Sequence, residues 1–185
     1  TPHAVMPLRE GRVDPTVVIE WLELDPVPLT WALDEAGVPY RLVGGLAATL
    51  QGLTCPVAGI ELQLPRERLD EIAAAWHGWL RLRFDPRWGS FEPLVAMSPA
   101  EPGADRWVSD GGELWVHWVP SAADLVDGIT VVVEHDAAFP ARLVARQPVP
   151  RPGSYDLVVA TLPALARLDP AVARRLAEAG RGPAG

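Results

Sequence analysis

The chain has 185 residues, of which 49 % are hydrophobic, and its formal net charge is −8, which predicts one globular domain with a full core. The negative charge argues against a surface for long nucleic acids, because such surfaces gain affinity from cations placed near phosphates. Its basic residues are all arginine, so mechanisms that need a lysine, such as Schiff-base chemistry and the lysine-containing phosphate loop, are excluded.

The N-terminal half predicts alternating helices and strands. Residues 1–13 are expected to be irregular, and Asp14-Pro15 supplies an N-cap followed by a proline in the first helical turn. Apolar spacing and the positions of glycine and proline predict the elements that follow. They are helices at 15–22 and 28–36, a strand at 39–43, a helix at 46–51, a strand at 57–64 and a helix at 66–76.

The C-terminal half predicts antiparallel pairing as well. Asp110-Gly111-Gly112 between apolar strands is a strong hairpin signal. The predicted elements are strands at 79–84, 106–109 and 113–119, a short helix at 121–126, a strand at 129–133, extended chain and loop at 140–152, and helices at 155–168 and 170–179. We therefore predict a single α/β domain over residues 14–180 with a mixed sheet flanked by helices, and a frayed end at 181–185.

The expected location is the cytoplasm, with no membrane partner. No apolar run is long enough to cross a bilayer, and the first residues do not have the charged and apolar regions of a signal peptide. The single cysteine, Cys55, cannot form an internal disulfide, which agrees with a reducing compartment.

Two adjacent glycines, Gly44 and Gly45, lie between a predicted strand and a predicted helix. Glycine allows the backbone to approach a ligand closely, and a helix N-terminus carries partial positive charge. This pair therefore predicts a turn that binds phosphate. A tight turn with close helix packing is the plainer interpretation and stays open.

The segment around these glycines resembles the nucleotidyltransferase-fold superfamily. The matching elements are Val43-Gly44-Gly45-Leu46-Ala47, then Gln51-Gly52 at the end of a helix, then Gly59-Ile60-Glu61 where the family has Asp-x-Asp. The resemblance covers residues 36–80 and is strongest to minimal nucleotidyltransferases and to nucleotidyltransferase toxins of abortive-infection and toxin–antitoxin systems. It implies that Gly44 and Gly45 bind a nucleotide phosphate.

The metal positions that the resemblance implies are altered. Family members hold two magnesium ions with the paired aspartates and with a third carboxylate on a later strand. Here Gly59 stands at the first position, Glu61 at the second and His117 near the third. Glycine has no ligand, and histidine suits zinc or iron better than magnesium. Glu61 is thus the one catalytic candidate, and no metal site is assigned.

We expect a catalytically degenerate nucleotidyltransferase-like protein, a pseudoenzyme with a binding or regulatory role and a nucleotide or a protein as partner. Loss of a carboxylate removes charge on which the transition state depends. The alternative is an active metal-dependent transferase that uses Glu61, Glu113 or another carboxylate on a small molecule or a protein, with Mg²⁺ and a nucleoside triphosphate as cofactors. An unrelated α/β interaction module is a third class.

Two histidines are further candidates. His117 and His135 have Glu113, Glu134 and Asp136 near them in sequence, and these residue types form metal or acid–base sites. No metal-type spacing supports such a site, so packed or surface histidines are the plainer interpretation.

The remaining reactive side chains favour structural roles. Cys55 has no base near it in sequence and is expected to be a buried, inert thiol. The tryptophans favour a core or an interface over base stacking. Six of the eight fall in the middle third: Trp76, Trp79, Trp88, Trp107, Trp115 and Trp118. Arg81, Arg83 and Arg87 form a potential phosphate fork, although a solvated face is the plainer interpretation.

Overall fold

A six-stranded mixed sheet organises the protein in the computed structural model, which describes residues 13–22, 24–72, 74–76, 106–109, 112–135 and 152–181. The strands are β1 (Arg41–Val43), β2 (Gly59–Pro65), β3 (Arg106–Ser109), β4 (Gly112–Val119), β5 (Gly128–His135) and β6 (Gly153–Ala160). Their order across the sheet is β3-β4-β2-β1-β6-β5. The α/β class predicted from the sequence is confirmed.

The described helices lie mainly before and after the sheet strands in sequence. They are α1 (Pro15–Leu22), α2 (Val27–Glu35), α3 (Gly44–Leu50), α4 (Leu162–Leu168) and α5 (Pro170–Arg181). Short 3-10 helices occupy Arg66–Arg68 and Ala122–Asp124, and residues 69–72 and 74–76 are helical. Within the described ranges, no helix has the length and apolar character needed to cross a membrane.

Side-chain caps explain several helix boundaries. Asp14 Oδ1 accepts a hydrogen bond from Thr16 N at 2.9 Å at the start of α1, and Thr161 Oγ1 accepts one from Ala164 N at the start of α4. Gly37 follows the end of α2 with a φ of +69°, a conformation that glycine adopts without penalty. The Asp14 and Gly37 signals are why the sequence predicts the start of α1 and the end of α2, whereas the cap at Thr161 is not predicted.

Strand register assigns residues to two faces of the sheet, because directly paired residues point the same way. Leu42 pairs with Leu62 on one side and with Val159 on the other. These residues belong to a buried apolar face that packs against the helices. Val43 pairs with Glu61, so Glu61 lies on the opposite face.

Trp76 lies in the core, which confirms for this residue the prediction that the tryptophans favour a core or an interface. Its side chain is fully buried, and its Nε1 donates a hydrogen bond to Leu29 O at 3.2 Å. A buried indole needs such an acceptor because an unpaired N–H is costly. Trp76 therefore ties the helical residues 74–76 to α2.

One secondary-structure prediction is wrong. Residues 155–168 were expected to be one helix, but β6 runs to Ala160 and α4 begins at Leu162. Leu157 and Val159 are buried while Asp156 is exposed, which is the period-two pattern of a strand, and β6 fills the gap between β1 and β5. Tyr155, Val158 and Val159 are also residue types that favour strands, so the local sequence agrees with the structure and not with the predicted helix.

Other boundaries shift by a few residues. The helix predicted at 46–51 begins at Gly44, and the one predicted at 121–126 is only the 3-10 turn Ala122–Asp124. The predicted hairpin is confirmed, with Ser109 paired to Gly112. The predicted strand 79–84 and residues 140–151 of the segment predicted at 140–152 lie outside the described residues, as do residues 1–12 and 182–185.

Candidate functional site

Gly44, Glu61 and His117 meet at one place on the face of the sheet opposite the apolar core. His117 Nε2 lies 3.1 Å from Glu61 Oε1, although the two residues are 56 positions apart in the chain. A Cβ on Gly44 would collide with Glu61 Oε2 and lie 2.5 Å from its Cδ. The turn, the second metal position and the third metal position of the resemblance therefore form one cluster, which we call the Glu61 cluster.

The strands explain why these three residues meet. β1 leads directly into α3 at Gly44, and its last residue, Val43, pairs with Glu61. β2 also pairs in parallel with β4, where Gln63 is opposite His117. The side chains at 61 and 117 are thus diagonal neighbours on one face, within reach of each other.

The Glu61 cluster is open to solvent. The side chains of His117 and Glu61 are 36 % and 26 % exposed. A pair exposed to this degree is screened by water, so its contribution to folding is small and the groups remain able to contact a ligand.

Gly44 has a conformational requirement as well as a steric one. Its φ is +78°, in the left-handed region where a side chain costs energy. The Glu61 carboxylate also occupies the space that a side chain would take. Both facts explain why the first residue of α3, directly after β1, is a glycine.

Gly45 allows close packing of the neighbouring loop. A Cβ on Gly45 would lie 2.9 Å from Pro56 C and would overlap Pro56 O. The backbone at Pro56 thus fills the space beside Gly45, and the tight-packing interpretation applies to this residue. Phosphate binding at Gly44 and Gly45 stays a prediction.

A buried guanidinium borders the cluster on the same face. Arg41 Nε donates to Gln63 Oε1 at 2.8 Å and Nη2 donates to the same oxygen at 2.5 Å, while Nη1 donates to Val126 O. Burial is the main cause that lowers the pKa of Arg41, and the Asp127 carboxylate opposes this effect. Arg41 therefore joins β1, β2 and the loop before β5 through neutral acceptors.

The Arg41–Gln63 pair is not among the candidates that the sequence predicts. Arg41 and Gln63 each lie two residues from a residue of the Val43–Glu61 pair, so the period of a strand places them on the same face as that pair. That spacing becomes informative only when the strand partners are known.

Gly59, the position that the resemblance assigns to the first metal ligand, lies opposite a glutamate on the neighbouring strand. Gly59 pairs with Glu113 across β2 and β4. Gly59 itself has no side chain to bind a cation. The described residues contain no group of three or more histidine, cysteine, aspartate or glutamate side chains placed to hold a metal. One carboxylate and one imidazole do not fit a pair of magnesium ions, which take oxygen ligands in octahedral geometry.

His135 lies away from the Glu61 cluster. It is the last residue of β5, three strands from β2, and its side chain is buried on the apolar face. His135 Nε2 lies 3.5 Å from Asp25 Oδ2, and its ring meets Tyr155 edge-on. Asp25 also accepts a hydrogen bond from Val27 N at the start of α2. His135 thus has a packed structural position.

The remaining sequence candidates are not part of the cluster. Glu134 is exposed, and its backbone N donates to Thr16 Oγ1. Burial raises the pKa of the Cys55 thiol, which is the opposite of the activation that a nucleophilic thiolate needs. Arg66 lies 5.8 Å from the ring centroid of Trp118, a cation–π contact. Arg81, Arg83, Arg87 and Asp136 lie outside the described residues.

Comparisons with known proteins do not assign this chain to a family. No family model, curated protein or solved structure matches this chain. The nucleotidyltransferase resemblance therefore stays a prediction based on the sequence.

Proposed function

We propose that the protein is a catalytically degenerate member of the nucleotidyltransferase-like class that acts by binding a nucleotide at the Glu61 cluster. The observation that supports this proposal most is the convergence of Gly44, Glu61 and His117, three positions that the resemblance selects from distant parts of the sequence. If the match of these short motifs were accidental, nothing would require the three positions to share one face of one sheet.

The identities of the residues support a loss of catalysis. Nucleotidyl transfer with two magnesium ions depends on carboxylates that hold the ions and balance charge in the transition state. Gly59 contributes no charge, and His117 contributes a nitrogen in place of a carboxylate. Glu61 is longer than aspartate by one methylene, and its carboxylate lies against Gly44 and His117.

A transfer assay tests the loss of catalysis. The full chain is incubated with each labelled ribonucleoside triphosphate and Mg²⁺ or Mn²⁺, with the protein itself and small hydroxyl compounds as acceptors. We expect no transfer above the level of Glu61→Ala. Transfer that Glu61→Ala abolishes and Glu71→Ala leaves intact would defeat the proposal. Glu71 is a suitable control because its carboxylate is exposed and pairs with Arg68 away from the cluster.

Calorimetry tests the binding role. Titration with ATP and GTP, with and without Mn²⁺, should show saturable binding that His117→Ala weakens by at least about tenfold, or about 1.4 kcal/mol. Glu71→Ala should bind as the natural chain does. Equal affinity in the His117→Ala variant would place the nucleotide elsewhere, and the absence of binding would remove the proposed role.

The register of β2 and β4 favours a second candidate, an active transferase with a rearranged site. Glu113 is paired with Gly59 in the backbone, so a second carboxylate-bearing residue belongs to the same row of the sheet as the first metal position. This candidate predicts transfer activity that both Glu61→Ala and Glu113→Ala abolish. The variant Gly59→Asp/Glu61→Asp/His117→Asp, which restores the aspartates of the family, distinguishes the two candidates. If the natural chain is inactive and this variant transfers nucleotide, the natural chain is a degenerate transferase.

A further inference from the structure

Strand β5 forms one edge of the sheet, and its outer side carries exposed backbone groups. β6 pairs with it over its whole length, from Gly128 opposite Ala160 to His135 opposite Gly153. No strand in the described part of the chain pairs with its other side. An edge of this kind is a template for another strand unless the protein protects it.

One contact shows which backbone groups point outward. Glu134 N donates to Thr16 Oγ1 at 2.9 Å, so the amide of Glu134 faces away from β6. Backbone groups alternate along an antiparallel strand, and the amides of Val132 and Thr130 therefore point outward as well. Thr16 covers the edge at Glu134, and the open part of the edge is residues 128–132.

The open part of β5 has little of the protection that edge strands usually have. Residues 128–133 contain no charged side chain and no proline. Ile129 and Val132 are 42 % and 54 % exposed, and Val126 just before the strand is also exposed. Among the described residues, Leu168 is the one other large hydrophobic side chain with such exposure. Exposed apolar area next to unpaired backbone is typical of an interaction surface.

We propose that two copies of this chain pair through the open edge of β5 as antiparallel strands, with the two-fold axis at Thr130. This register uses Gly128, Thr130 and Val132 of each copy and leaves the Thr16 contact at Glu134 intact. Thr130 is then opposite Thr130 of the second copy, and Val132 is opposite Gly128, which has no side chain.

Charge and symmetry support a second copy as the occupant. The interface is the same patch on both subunits, which is the arrangement of the commonest oligomers. No like charges are opposed in this register, and a threonine pair across two strands is favourable. The chain is strongly acidic overall, so an uncharged edge is the surface on which two copies meet with the least repulsion.

Sedimentation of the full chain across a concentration series tests the proposal. The natural chain should show a reversible dimer, and Thr130→Pro should weaken it by at least about tenfold. Proline removes the outward amide of residue 130 without removing a hydrogen bond to β6, and edge strands accept proline. Circular dichroism confirms that the variant keeps its fold.

Variants with opposite charges at Thr130 distinguish a lost interface from misfolding, because a misfolded variant would not recover association when the two are mixed. Thr130→Lys and Thr130→Glu should each weaken the dimer by about tenfold or more, because like charges are then opposed across the axis. An equimolar mixture of the two should restore association as a mixed dimer. Thr54 is an exposed loop threonine, and Thr54→Lys and Thr54→Glu are matched controls that should leave the dimer unchanged.

A cross-link tests the geometry. Thr130→Cys in a Cys55→Ser background should form a disulfide between copies, because hydrogen-bonded antiparallel partners have Cα atoms about 5.5 Å apart, a distance that a disulfide bridges. Thr54→Cys in the same background should not. A natural chain that is monomeric at every concentration, a dimer insensitive to all Thr130 variants, or a mixture of charged variants that fails to associate would each overturn the proposal.

Discussion

His117 Nε2 and Glu61 Oε1 lie 3.1 Å apart on adjacent parallel strands, and the same Glu61 carboxylate fills the space beside the Cα of Gly44. This relationship couples the strand-to-helix turn to the two polar residues of the cluster. A change at the turn therefore alters the position of the carboxylate, and this coupling leads to the first prediction.

Gly44→Ala should lower the free energy of unfolding by more than the roughly 1–2 kcal/mol that left-handed backbone costs a non-glycine residue. The excess arises because the new methyl group displaces the Glu61 carboxylate. Gly37→Ala is the matched control, since Gly37 has a φ of +69° and no atom lies within 4 Å of the place that its new methyl group would take. Urea unfolding of both variants measures the difference, and equal costs would contradict the role of Glu61.

Gly45→Ala should also destabilise the protein, because the added methyl group meets the backbone of Pro56 and a backbone cannot move aside cheaply. Overpacking of this kind costs about 1–3 kcal/mol. Gly180→Ala is the control: it lies in α5 with open space around it, and alanine there should be neutral or stabilising by up to about 1 kcal/mol. Thermal unfolding of the two variants compares them, and a neutral Gly45→Ala would refute the packing role.

Gln63→Ala should destabilise the protein by about 1–3 kcal/mol, because it leaves two donors of a buried guanidinium without their acceptor. Arg41→Met, and the double variant with Gln63→Ala, complete a thermodynamic cycle. We expect a coupling of about 0.5–3 kcal/mol between the two positions. Additive losses would mean that the two side chains do not depend on each other.

The raised pKa of Tyr40 should make the folded protein less stable at alkaline pH. Burial is the largest cause that raises its pKa to about 12, and its hydroxyl donates to Asp156 O at 3.3 Å and accepts from Val158 N at 3.2 Å. Between pH 10 and 12 the folded state retains a proton that the unfolded state loses. The unfolded state therefore binds fewer protons, and stability falls as the pH rises through this range.

Tyr40→Phe should remove this alkaline loss, although it also removes two hydrogen bonds and so lowers stability at neutral pH. Ultraviolet titration of the phenolate compares the natural chain with the variant, and the chain has only two tyrosines. The phenol that is lost in Tyr40→Phe is the one to follow. If that phenol titrates near pH 10 in the folded natural chain, Tyr40 is not held by β6.

The order of β1, α3 and β2 is predictable because its signals are local. Gly44 and Gly45 mark the turn, and the alternation of Ile60, Leu62 and Leu64 marks a strand with one apolar face. The helix predicted over 155–168 overlooks a local signal, because Tyr155, Val158 and Val159 are residue types that favour strands. The place of β6 between β1 and β5, in contrast, depends on pairing with Leu42 and Ile129, which are far away in the chain.

The sequence by itself determined the α/β class and the glycine turn, because each depends on residue spacing within short segments of the chain. The tertiary structure alone decided that Glu61 and His117 touch and that His135 is buried beside Asp25 on the other face. The physical reason is that strand order and register set which side chains meet. Both arise from the packing of residues far apart in the chain, which no local pattern encodes.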